Sequence, residues 1–311
     1  MRRLLALIPT LLGVSVATFL IIKLIPGDIA LTYAPPDASA AELQALRESL
    51  GLTAPLPIQY AAWLGHVLQG DWGYSISQGK PVLEALLPRL QNTMILAFAA
   101  LIIAWVIGVT AGIVSAARQG SVLDRGVMVF ALLGNSMPAF WLGLVFILFF
   151  GLQLGILPVS GMYSPRGNHD IGDLLVHLVL PASTLGLVLA GLVARMTRSA
   201  MLEIIRQDYI RTAWAKGLRE SAVMRNHALR NAILPVITVL GLQLGNLLGG
   251  SVIIETVYSW PGIGFAMQQA ILRRDAQVVQ GGVLLAAISF VFINLIVDLL
   301  YAAIDPRVKF E

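Results

Sequence analysis

Six stretches of this chain are long and apolar enough to cross a bilayer as helices: Leu4–Ile25, Thr93–Ala117, Gly126–Leu157, Leu174–Ala194, Ala232–Ile254 and Ala276–Ile304. A spanning helix needs about 20 mostly apolar residues, and it must satisfy its own backbone hydrogen bonds while surrounded by hydrocarbon. The runs are continuous rather than alternating, which excludes the strands of a membrane barrel. Only 12% of the residues are charged, against roughly 25% in soluble domains. The expected fold is an all-α integral membrane protein with six transmembrane helices.

The first window follows Met1-Arg2-Arg3 but is too long for a secretory signal and has no Ala-x-Ala site after it, so it reads as an uncleaved span. With the amino terminus placed inside, the inner segments hold Arg2, Arg3, Arg118, Arg125, eight basic residues from Arg195 to Arg230, Arg307 and Lys309. That concentration of positive charge predicts that both termini are cytoplasmic. It also accounts for the net charge of +4 without a nucleic-acid partner.

Four parts follow along the chain: residues 1–25 as the first span, 26–92 as an external helical region, 93–304 as a transmembrane core and 305–311 as a cytoplasmic tail. In the external region Ser39-Ala40-Ala41-Glu42 has the form of a capping box, and Gly51 can close the helix it opens. A second helix is expected over Ile58–Leu68, and Pro81 suits the first turn of a third that leads into the second span. Gly241, Gly245 and Gly249 recur at four-residue intervals on one face of the fifth span. Such a face lets another helix approach closely, either within the chain or across a dimer.

Chemistry-bearing patterns are sparse. Cysteine is absent, which removes disulfides and thiolate sites together. His169-Asp170 reads as an ordinary polar loop, and the other histidines have no metal-ligand spacing, so no metal site is expected. The only Gly-Lys pair, Gly79-Lys80, is followed by Pro81, so the chain has no phosphate-binding GxxxxGK[ST] loop. Asn294 and Asp298 share a face of the sixth span and suggest an interhelical clamp or a polar lining. Without a midplane cluster of acids, a proton-coupled secondary transporter is the weaker reading, and an intramembrane enzyme lacks paired acids in a protease-like setting, a histidine-based metal site and any cysteine.

One long polar segment remains, residues 195–235, with eight basic residues against Glu203, Asp208 and Glu220. Residues 209–216 have helical composition and Gly217 is a natural stop. Glu220–Ile233 then reads as a second amphipathic helix closed by Pro235. Two short helices braced by spans at both ends would make a rigid protrusion able to carry force to and from the bilayer.

Within this segment Tyr209-Ile210-Arg211-Thr212-Ala213, Ala215-Lys216-Gly217-Leu218 and His227-Ala228-Leu229-Arg230-Asn231-Ala232 resemble the cytoplasmic motif of bacterial ABC importer permeases, in the dipeptide, oligopeptide, glutathione and nickel branch. The similarity extends to Ile25-Pro26-Gly27-Asp28, Gly70-Asp71-Trp72-Gly73, Trp260-Pro261-Gly262-Ile263-Gly264 and Leu299–Pro306. Arg211-Thr212-Ala213 stands where the general importer motif reads Glu-Ala-Ala, as in the peptide branch, which removes the acidic contact.

The resemblance implies a non-enzymatic subunit of the bacterial inner membrane that moves short peptides or a glutathione-like solute by alternating access, with nickel complexes as the alternative cargo. Its implied partners are a second, related permease, two ATPases carrying ATP and Mg²⁺, an external solute-binding protein and membrane lipid. Tyr209, Arg211, Thr212, Ala213, Lys216, Gly217 and Leu218 would then couple to an ATPase. Asn135, Ser136, Gln243 and Asn246 offer neutral polar groups for a pathway, with no ring of histidines or carboxylates to hold a metal ion.

Overall fold

The computed structural model describes residues 2–24, 37–49, 51–219 and 222–304. Ile25-Pro26-Gly27-Asp28, Glu220 and the tail at 305–311 lie outside the described residues. The chain divides into two compact units, one of Met1–Leu87 with Gln269–Ile288 and one of Pro88–Gln268 with Ser289–Glu311. Residues 269–288 thus group with the amino-terminal region.

The first unit begins with helix α1 (Arg2–Leu24), followed by α2 (Ala40–Ser49) and α3 (Leu56–Leu68). The capping box ahead of α2 forms reciprocally: the Ser39 backbone N–H donates to Glu42 Oε2 at 2.7 Å and the Glu42 N–H to Ser39 Oγ at 3.3 Å. These bonds from Ser39 hold the Glu42 carboxyl below its ordinary range. Helix α1 rests on α3 through Phe19, whose ring meets Tyr60 and Trp63, and through a 2.7 Å hydrogen bond between Ser15 and Tyr60.

A two-stranded antiparallel hairpin, β1 (Tyr74–Ser75) and β2 (Lys80–Pro81), follows in the same unit. Asp275 holds it from far along the chain, accepting from Ser75 Oγ and Ser77 Oγ at 2.7 Å and from the Ser77 N–H at 3.1 Å. The same carboxylate accepts from the Val278 N–H at 3.3 Å, in the manner of an N-cap for the last helix.

The long helices are α4 (Val82–Ala117), α5 (Val122–Ser136), α6 (Ala139–Phe146, continued by a π-helical turn Ile147–Gln153) and α7 (Ile171–Ile205). The polar segment carries α8 (Asp208–Ala215), and after it come α9 (Arg230–Gly250), α10 (Val252–Val257), α11 (Ile263–Leu272) and α12 (Ala276–Ile304). Among the described residues four helices are long and apolar enough to span a membrane, and a fifth span arises if α5 and α6 are taken together. The described apolar part of α1, Ile8–Leu20, is shorter.

Two expectations change. The third window does not run as one helix but bends by 104° between α5 and α6. Pro138 has no N–H to donate and forces Met137 into extended backbone (φ −79°, ψ 132°), which ends α5. Conversely, Pro235 does not close a helix but lies inside α9. Burial of Ala232, Val236 and Leu240 on the helix face around it outweighs the single backbone bond that proline removes.

Helix α7 is the centre of the second unit: 61% of its most apolar window is buried, against 33% for each of the other three spanning helices. Small residues make this possible. A Cβ on Gly108 or Gly112 of α4 would strike Val193 or Thr197 of α7, and one on Gly191 would strike the Ala131 backbone of α5. Gly108-x-x-x-Gly112 has the same four-residue spacing as the glycines of the fifth span.

Those later glycines separate by environment. A side chain at Gly241 would run into Val297 of α12, and a Cβ at Gly245 would come within 3.0 Å of Phe290 and 3.1 Å of Asn294, whereas nothing lies within 4 Å of one at Gly249. Gly241→Leu is therefore expected to destabilise the protein by about 1–3 kcal/mol. Gly249→Leu should stay within about 0.5 kcal/mol of the parent. Thermal unfolding of the two variants in the same detergent checks the contrast, and equal melting temperatures would contradict it.

Candidate functional site

The polar segment begins where α7 ends at Ile205 and folds into helix α8 (Asp208–Ala215). Its two sides differ sharply. Ile210 (0% exposed) and Ala213 (8%) point into a cluster with Ala116, Met201, Val223, Met224, Ala228 and Ala232, while Tyr209, Arg211, Thr212, Trp214, Lys216 and Leu218 are exposed. Burying the two apolar side chains fixes the roll of the short helix, so the opposite face is presented in one orientation.

Hydrogen bonds reinforce that orientation. Asn231 Nδ2 donates to the Tyr209 hydroxyl at 2.9 Å, linking α8 to α9, and Thr212 Oγ1 donates to the Asp208 carbonyl at 3.0 Å. Arg211 approaches Asp208 at 3.4 Å on the open surface, a contact that contributes little to stability. Gly217 stops the helix in left-handed backbone (φ +75°), with its N–H donating to the Trp214 carbonyl at 2.9 Å. The chain then re-enters through a π-helical run, Val223–Leu229, that continues directly into α9.

At the base of this protrusion lies a knot that sequence reasoning missed. Asp124 is buried on the first turn of α5, and Arg198 of α7 grips it bidentately, Nε to Oδ1 at 2.7 Å and Nη2 to Oδ2 at 2.9 Å. Ser115 Oγ and the Gly120 N–H complete the carboxylate's partners. The charge thus locks the α4–α5 turn to the helix that leads into α8. Only Ser121, which caps α5 and accepts from the Asp124 N–H, signalled the position in sequence.

A second buried carboxylate, Glu255 of α10, accepts from Thr93 Oγ1 at 2.6 Å, Ser251 Oγ at 3.0 Å and the Phe265 N–H at 3.0 Å. It ties α4, α10 and the start of α11 together. Nearby, Trp260 Nε1 donates to the Asn92 carbonyl and Asn92 Nδ2 to the Pro261 carbonyl, both at 2.9 Å.

The polar residues expected along a pathway are dispersed. Asn135 and Ser136 are exposed at the end of α5, beside the bend. On α9, Asn246 is exposed and donates to the half-buried Gln243 at 2.9 Å. Asn294 Oδ1 is buried beside Gly245 and has no hydrogen-bond partner among the described residues. The side chain of Asp298 lies outside the described residues, so the expected pairing with Asn294 is not defined.

The family model of the binding-protein-dependent transport system inner membrane component matches residues 108–310, and the model of its amino-terminal part matches residues 1–97. The chain belongs to this family. Among its relatives, the dipeptide transport system permease protein of Alkalihalophilus pseudofirmus is 46% identical, the alignment covering 100% of this chain and 98% of that protein. The glutathione transport system permease protein of Pectobacterium atrosepticum is 43% identical over 100% of this chain and 98% of its own length. The fold matches the inward-facing MetNI methionine ABC transporter with a TM-score of 0.59 at 22% identity, covering 72% of this chain and 97% of that one. With its family and its long apolar helices, the chain is a multi-pass permease of the inner membrane.

Proposed function

We propose that this permease is the membrane subunit of an ATP-driven importer of short peptides or a glutathione-like solute. The observation that carries the reading is the α8 protrusion, which exposes Tyr209, Trp214, Lys216 and Leu218 while Ile210 and Ala213 anchor it. An aromatic and basic surface on a rigid short helix suits a protein partner, and the partner is an ATPase that supplies ATP and Mg²⁺. The assembly contains two such ATPases, a second related permease and an external solute-binding protein. The cargo follows from the dipeptide and glutathione transport systems to which the relatives belong.

In this scheme the protrusion faces the cytoplasm, as do both termini. Closure of the ATPases displaces α8, and α7 transmits the displacement because Arg198 and Asp124 clamp it to the α4–α5 turn. The break at Met137-Pro138 lets α5 and α6 reorient as separate bodies, with Asn135 and Ser136 beside the moving joint. Gln243, Asn246 and Asn294 contribute weak polar contacts, so selectivity resides in the binding protein and release is not slowed. The test is to exchange binding proteins on the same permease pair and measure peptide uptake and ATP hydrolysis. Solute preference should follow the binding protein, and a preference that stays with the permease would overturn this assignment.

A further inference from the structure

Within the first unit, the carboxyl-terminal end of α1 opens onto a cavity of about 430 Å³ that the function proposed above does not use. That volume is ordinary for a small-molecule site. Its walls include Phe19 and Lys23 of α1, Trp63 of α3, Asp71 and Trp72 of the following loop, and Gln280 of α12. Charges of both signs and aromatic surfaces thus share one concavity at the end of the apolar helix α1.

Each charged group is only partly used. The half-buried Lys23 ammonium donates to Gln59 Oε1 at 2.5 Å and lies 5.6 Å from the centre of the Phe19 ring, leaving further donor capacity. Asp71 accepts from the Gly73 N–H at 3.0 Å and faces His66 at 3.4 Å, with two-thirds of its side chain still open. An indole beside a carboxylate is a favourable setting for an alkylammonium group, and a lysine ammonium is a favourable one for phosphate.

An apolar track leads from this cavity along α1. Leu12, Val16 and Leu20 are 46%, 40% and 42% exposed. Their four-residue spacing puts them on one helix face. Lys23 stands seven residues beyond Val16, two turns further along the same side. A cation at the head of an exposed apolar stripe, with an anion and indoles lining the same cavity, has the charge order of an amphiphile rather than of a freely soluble ion.

We propose that this cavity is a phospholipid site selective for an ethanolamine headgroup, with the phosphate on Lys23, the ammonium against Asp71 and the indoles of Trp63 and Trp72, and the acyl chains along Leu12, Val16 and Leu20. The inference needs only that α1 is a membrane helix and does not depend on which solute the permease carries.

Native mass spectrometry of the full chain, purified with its associated subunits and titrated with phosphatidylethanolamine or phosphatidylglycerol, tests it. One phosphatidylethanolamine should be retained per chain in preference to phosphatidylglycerol. Lys23→Gln should weaken retention about tenfold, whereas Lys23→Arg should preserve it. Asp71→Asn should abolish the preference between headgroups while leaving folding and assembly intact, and this variant decides the matter if Lys23→Gln fails to assemble. Unchanged retention in Lys23→Gln, or unchanged headgroup preference in Asp71→Asn, would overturn the proposal. Displacement of the lipid by inorganic phosphate alone would mark a simple anion site, and displacement by the dipeptide Ala-Ala a peptide site. Either result would also overturn it.

Discussion

Arg198→Met is expected to destabilise the protein by about 3 kcal/mol, because it leaves the Asp124 carboxylate buried without its cation. Asp124 retains only 6% side-chain exposure, so water cannot replace the guanidinium without local opening of the α4–α5 turn. Ser115 and Gly120 still donate to the carboxylate, which keeps the loss below that of an isolated buried charge. The double variant Asp124→Asn with Arg198→Met should recover part of the stability, since it removes the orphaned charge instead of exposing it. Thermal unfolding in detergent measures both. If the single variant unfolds at the parental temperature, the pair does not hold the turn to α7. A double variant as unstable as the single one would show that the guanidinium acts through packing rather than charge.

Gly217→Pro should abolish uptake and association with the ATPase while leaving the chain inserted in the membrane. Proline holds φ near −65°, whereas Gly217 sits at +75°, and proline also removes the N–H that donates to Trp214. Steric crowding is not the cause, because nothing lies within 4 Å of a Cβ built at this glycine. Gly217→Ala keeps the N–H and meets only the left-handed backbone penalty of about 1–2 kcal/mol, so it should give an intermediate phenotype. The measurements are co-purification of the ATPase and peptide uptake in cells with equal permease levels. An α8 that still recruits the ATPase in Gly217→Pro would not be the coupling helix.

Gly217 and the Asp124–Arg198 pair differ in how much of them the sequence discloses. Gly217 stood out in the sequence because a helix stop is a local event: a glycine after a short amphipathic run is read from its neighbours alone. The same holds for Ser39 and Glu42, three residues apart, and for the apolar windows, since the bilayer acts on each helix separately. Membrane class, the helical character of the spans and the exposed polar segment were accordingly determined by the sequence.

Proline shows where that reading stops. Pro88, Pro181 and Pro235 lie inside continuous helices, yet Pro138 coincides with a 104° bend. Each removes the same backbone donor, so the outcome depends on whether packed neighbours hold the helix together around the gap. The buried carboxylates were hidden for a related reason. Asp124 finds Arg198 74 residues away, Glu255 finds Thr93 162 residues away and Asp275 finds Ser75 200 residues away. An isolated acid in a sequence reads as a surface charge, and only the packing of distant helices, which removes water and supplies donors in its place, makes it a fixed point of the fold.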